Sequence, residues 1–276
     1  MQVEYLLTAE AGGRLAESIQ SGLVQATQVA REAAVRRAAN GVRFAAFGET
    51  GLDDADLVRM VQAVPSTVAA ALGHKTYYFV PLALAEGRNA ESAGHRRGNE
   101  ETMISTVYSA ELAEMAICHR NVALGGGEEG VFISTRLLRD RFSLAFELFI
   151  NVGHAFVDEA GVPESFSELA WNQATADVRG ETSQDAWESR AQAVGGGQNA
   201  GRTDEKARTE YIEAAFSDAI AIYLLSLAVD FDYSELRERE YPLLAPQPLA
   251  ERLRLVARLF PPNAEYEFAI RYRRRA

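Results

Sequence analysis

The stretch FELFINVGHAFVDEAG, Phe146 to Gly161, is apolar enough for a core helix, yet Glu147, Asn151, His154 and Asp158 interrupt it at spacings of four, three and four. At 3.6 residues per turn those positions share one helical face. Phe142, Ala145, Phe149, Val152 and Phe156 form a core-facing row, and Leu144, Leu148 and Ala155 leave little of the remaining surface polar, so most of this helix is expected to be buried. A buried polar row needs partners. It is either a structural network satisfied by neighbouring helices or the floor of a pocket where binding or chemistry takes place.

Outward from this helix the chain divides in character. The helix is expected over about 135–159, with Gly161 and Pro163 as its stop. A weaker helical region covers 165–194, GGGQNAGRTDE at 195–205 reads as a flap or linker, and helices are expected over 208–228 and 249–259. On the N-terminal side lie strand-like runs: MISTVY, EMAICHRNVAL and, after a Gly125–Gly127 hairpin signal, GVFIST. The first third alternates: VEYLL as strand, Arg14–Ala39 as a long Ala-rich helix, VRFAAFG as strand, Asp53–Leu72 as an Asp-capped helix and TYYFVPLAL as strand. EGRNAESAGHRRGNEE, 86–101, is the first linker or loop. The expected class is therefore α+β, with an α/β region over 1–85, and a second region over 100–265 in which strands at 102–135 precede helices at 136–260.

The second strongly apolar helix, TEYIEAAFSDAIAIYLLSLA, carries one conspicuous intruder, Asp218. An aspartate inside such a run must be paired or hydrogen-bonded if buried. His154 is the partner the sequence suggests.

The segments INVGHAFVDEAG and IEAAFSDAIA together resemble the two active-site helices of the gluzincin metallopeptidases, the zincin group that includes thermolysin. In that family the first helix carries H-E-x-x-H, two histidines holding zinc while the glutamate activates water. The second helix carries a glutamate ligand and, four residues on, an aspartate that orients a histidine. The resemblance places His154 at the second histidine, Asp158 at the acidic residue one turn later and Asp218 at the orienting aspartate. It also puts Ile150 at the first ligand position, Asn151 at the general base and Ala214 at the glutamate ligand, with Glu213 one residue away. A hairpin strand ahead of the first helix normally lays substrate along its edge, and VFIST stands in that place. The resemblance thus implies a zincin-like fold with a degenerate motif: one imidazole is a poor zinc site, and an asparagine amide cannot take a proton from water.

Composition narrows the classes. With 47% hydrophobic and 24% charged residues the chain is an ordinary globular sequence, and it has no uninterrupted run of about 18 apolar residues to span a bilayer. MQVEYLLTAEAGG lacks the features of a secretory signal, so the cytoplasm is the expected compartment, with signal-independent export as the alternative. A net charge of -11 disfavours nucleic acid, and the basic RYRRR and HRRG runs are expected to be solvated. The single cysteine, Cys118, rules out an internal disulfide framework and is expected to be a buried thiol. GGGEEG lacks the Lys-Ser/Thr ending of a phosphate loop, and His74, His95 and His119 form no ligand pattern with one another.

The functional expectation follows. The chain reads as a metallopeptidase-like pseudoenzyme with no cofactor, whose residual cleft binds a peptide or protein partner through Asn151, His154, Asp158 and Asp218, with Glu147 and Glu213 as further candidates. The alternatives are an enzyme with a repurposed or rebuilt site, using His154 and Asp218 in acid-base chemistry or an active zinc, and a structural component in which the polar row locks two helices.

Overall fold

The computed structural model describes residues 22–84, 102–138, 140–195, 203–236 and 241–271. The expected VEYLL strand and the 86–101 loop lie outside these residues, as do most of the 195–205 linker and most of RYRRR. The fold is mixed α+β, with two sheets and a helical C-terminal half. Its contacts divide into two units: one takes the chain up to Ala38, Val42–Leu57 and Gly73–Asp140, the other Ala39–Gly41, Val58–Leu72 and Arg141 onward.

In the first unit, the long Ala-rich helix expected over Arg14–Ala39 is replaced, within the described residues, by strand β1 (Leu23–Gln25), helix α1 (Ala26–Glu32) and strand β2 (Arg36–Arg37). Pairing overrides helix propensity at both ends: β1 joins Met103–Ser105, and Arg36 lies opposite Phe44. Strand β3 (Arg43–Ala46) is followed by two helices where one was expected: α2 (Asp54–Gln62), which passes into the second unit after Leu57, and α3 (Ser66–Ala71), which belongs to the second unit. Pro65 breaks the helix. The Asp cap holds, with the Asp56 backbone N–H donating to Asp53 Oδ1 at 3.0 Å. The run TYYFVPLAL likewise splits at Pro81 into β4 (Lys75–Val80) and β5 (Leu82–Leu84), which belong to different sheets.

After the undescribed segment come β6 (Met103–Ser105), a short helix α4 (Ala110–Ala113), β7 (Ala116–Ile117), β8 (His119–Gly125) and β9 (Glu128–Ser134). One sheet has the order β1-β6-β5-β7 and the other β2-β3-β4-β9-β8. β4 runs parallel to both β3 and β9, so strands from the 1–85 and 100–265 stretches are direct neighbours. The expected hairpin is present as antiparallel β8-β9, and Gly125, Gly126 and Gly127 all take φ values of 63 to 88°, a left-handed path that glycine follows without strain. Val24, Val29, Ala45, Val80, Ile104 and the stacked Tyr78 and Phe132 rings, 4.7 Å apart, form the core of this unit. Cys118, expected to be buried, is exposed, at the point where the chain passes from β7 into β8.

The second unit is helical: α5 (Arg141–Ala160), α6 (Glu164–Thr175), α7 (Gln184–Gly195), α8 (Glu205–Ala228) and α9 (Pro246–Leu259). α5 stops at Gly161, φ 69°, as the Gly-then-Pro signal requires. The break between α2 and α3 is covered here, where the Asn263 amide donates to the Gln62 and Val64 carbonyls at 2.8 Å each. α8 starts at Glu205, earlier than expected, because Asp204 accepts from the backbone N–H groups of Lys206 and Ala207. Among the described residues α8 is the helix long and apolar enough to cross a membrane, and 72% of its most apolar window is buried inside the protein. It meets α5 closely: a Cβ placed on Gly153 would stand 2.6 Å from the Ser217 carbonyl oxygen. Phe156, Phe166, Phe216 and Phe260 fill the space around that crossing.

Candidate functional site

The polar stripe of α5 does not run through the core as expected. Asn151 is 7% exposed, Glu147 is half-buried, and His154 and Asp158 are exposed. Helical geometry gives the reason: nine steps of about 100° put His154 on the opposite side of the helix from the buried Ala145. The stripe is the outer face of α5, with Asn151 at its margin. The Asn151 amide turns back along its own helix and donates to the Glu147 carbonyl at 2.9 Å.

Asp218 takes partners other than the expected His154. Its Oδ2 accepts from the Thr182 hydroxyl at 2.7 Å, and Ser183 also hydrogen-bonds to it. Burial pushes its carboxyl up to about 6, the Ser183 and Thr182 bonds and the Arg252 charge pull the other way, and Glu181 adds to the rise. Both hydroxyl partners lie in the turn leading into α7, so Asp218 fastens that turn to α8. Glu213 is exposed and lines an open depression with Val162, Ser167, Arg208, Thr209 and Ile212. The structure therefore disperses the expected set: His154 and Asp158 on the outer face of α5, Asp218 at the α7 turn, Glu213 beside the depression.

The densest polar centre of the helical unit was not foreseen. Glu181 and Arg252 are fully buried and Arg190 is 7% exposed. Arg252 Nη1 donates to Glu181 Oε2 at 3.0 Å, its Nε to Gln173 Oε1 at 2.8 Å and its Nη2 to the Tyr211 hydroxyl at 2.9 Å. Arg190 reaches Glu181 Oε1 at 3.1 Å and the Gly180 and Ala174 carbonyls at 3.0 and 3.2 Å. Tyr211 lies 3.0 Å from Glu181 Oε1 and 3.2 Å from the Ala170 carbonyl, and burial pushes its hydroxyl well above the ordinary phenol range. Burial also works against the Arg252 charge, but Tyr211 and Glu181 outweigh it and hold the guanidinium charged. Two guanidiniums thus flank one carboxylate, and the Asp218 carboxyl supplies the second negative group nearby. Such a cluster ties α6, α7, α8, α9 and the 177–183 turn together; its donors are spent on protein acceptors and leave little for a ligand. One signal was present in the sequence: Arg252 interrupts the apolar row Leu249, Leu253 and Val256 of α9. Glu181, in a turn, follows no periodicity that could have marked it.

In the sheet unit the strand expected to lay substrate along its edge is an interior strand. β9, which contains VFIST, is paired on both sides, by β4 and β8, and has no open edge. The edge is β8. The Ser134 N–H donates to the Cys118 carbonyl at 2.8 Å, and alternation along an antiparallel ladder then turns the backbone groups of Arg120 and Val122 toward β9 and those of His119, Asn121 and Ala123 away from it. Side chains of the same three residues are exposed, while Arg120, Val122 and Leu124 are half-buried. Among the described residues β8 pairs with no strand on that outer side, and no group of three or more His, Cys, Asp or Glu is placed to hold a metal ion.

No family model matches the chain, no curated protein matches its sequence, and no solved structure matches its fold.

Proposed function

We propose that this chain is a metallopeptidase-like module that has lost zinc binding and hydrolysis and retains the capture of an extended peptide, through the edge of β8. The observation that carries the reading is that edge, unpaired among the described residues, in an antiparallel hairpin which directly precedes in sequence the helix bearing the degenerate motif. The outward backbone positions Asn121 and Ala123 suit an added strand, whose main-chain hydrogen bonds give affinity without demanding a particular sequence. Supporting the loss of hydrolysis, Ile150 and Asn151 stand where a ligand and a base belong, and the Asn151 amide is engaged by its own helix. The Thr182 and Ser183 bonds to Asp218 weigh against the acid-base alternative, since they commit that carboxylate to the turn before α7.

The test is a peptide library screened for binding and for cleavage by the full chain, its Asn121→Pro and Ala123→Pro variants, and Val122→Pro as a contrast. Proline at 121 or 123 removes an outward N–H and spares the ladder, so binding is expected to fall with the melting temperature held. Val122→Pro cuts a ladder bond and is expected to destabilise the hairpin. Cleavage abolished by His154→Ala, or binding unchanged in both edge variants, overturns the proposal.

A further inference from the structure

The depression that contains Glu213 has a chemistry of its own, independent of the sheet edge. It measures about 340 Å³ and is lined by Val162, by Ser167 of α6, and by Arg208, Thr209, Ile212 and Glu213, which come from two successive turns of α8. Arg208 is set in place before any ligand arrives: its guanidinium lies 4.9 Å over the Trp171 ring, and Nη1 is held by Glu205 at 3.2 Å. Its Nε is closed off from solvent with no acceptor, so a ligand in the depression can meet only the outer end of the guanidinium. The two hydroxyls are committed in the opposite sense. Ser167 donates to the Pro163 carbonyl and Thr209 to the Glu205 carbonyl, at 3.2 and 3.0 Å, which leaves both oxygens as acceptors only.

The lining therefore sorts a ligand's groups. Arg208 donates and calls for a carboxylate, while Glu213 and the two hydroxyl oxygens accept and call for an ammonium. Val162 and Ile212 offer apolar surface between them. We infer that this depression is a binding site for a small zwitterion, a free α-amino acid or a dipeptide with an apolar side chain. The guanidinium charge takes the carboxylate, and the ammonium is held by Glu213 with Ser167 and Thr209.

Isothermal titration calorimetry of the full chain with L-leucine, L-leucinamide and N-acetyl-L-leucine separates these contacts. L-leucine is expected to bind saturably, and each capped analogue, lacking one charge, to bind at least about tenfold more weakly. Arg208→Gln is expected to abolish leucine binding, Arg208→Lys to weaken it by loss of the planar group stacked on Trp171, and Glu213→Gln to bring leucine down to the affinity of the N-acetyl analogue. Both positions reach solvent, and an unchanged melting temperature verifies that the variants fold. Leucinamide binding as tightly as leucine, leucine binding that survives Arg208→Gln, or no saturable heat up to about 10 mM leucine would each overturn the assignment.

Discussion

The edge of β8 and the Glu181 cluster put polar groups to opposite uses. Along β8 the backbone groups of His119, Asn121 and Ala123 point away from the sheet and meet no strand among the described residues. Around Glu181 the polar atoms of Arg252, Arg190, Tyr211 and Gln173 are turned on one another inside the helical unit. An open edge invites a partner, whereas a satisfied buried cluster excludes one and makes a single packing of the helices more favourable than its alternatives. A charged or polar residue in an apolar helix thus marks a lock as readily as a site. Only the disposition of its donors tells the two apart.

That contrast is tested hardest at Glu181. Replacing it with Gln leaves Arg252 and Arg190 buried without their carboxylate, at an expected cost of about 3–5 kcal/mol by urea denaturation. A loss below about 1 kcal/mol would mean that the cluster admits water and is open to ligands. Asp218 sharpens the picture through pH. Its folded value of about 6 lies above the ordinary 3.8, so the folded state binds this proton more tightly than the unfolded chain does. The stabilisation is fully present below the unfolded value and is lost as pH rises through about 6. It amounts to at most about 3 kcal/mol, and to less in proportion to the part of Asp218 that reaches solvent. Denaturation of the wild type and Asp218→Asn across that range checks it: the variant is expected to lose this acid-side gain, and an identical pH profile would place Asp218 in water.

Smaller effects probe the helix that first drew notice. Gly153→Ala pushes a Cβ against the Ser217 carbonyl and should cost about 1–3 kcal/mol, read from the same denaturation midpoint. His154→Ala, on the outer face of α5, is expected to change stability by less than about 0.5 kcal/mol. A larger loss there would mean that the outer face of α5 contributes to the fold's stability.

Periodic signals carried the sequence reading furthest. The α5 and α8 helices, the Gly161 stop and the β8-β9 hairpin follow from spacing and turn chemistry, which act locally. Errors arose where a distant partner decides: the residues of β1 and β2 look helical until β6 and β3 claim them, and Pro65 and Pro81 each divide an element that composition alone would join. For the candidate site, spacing placed Glu147, Asn151, His154 and Asp158 on one face but could not say that the face turns outward. Thr182 as the partner of Asp218 was illegible, because no short-range pattern links a turn residue to a helix 36 positions away.

The most direct test of peptide capture is amide hydrogen exchange on β8, followed by NMR with and without the tightest peptide from the library. In the free protein Arg120 and Val122 are expected to be protected and Asn121 and Ala123 to exchange freely; bound peptide should slow both. Saturating peptide that leaves those two amides as fast as before would contradict capture at this edge.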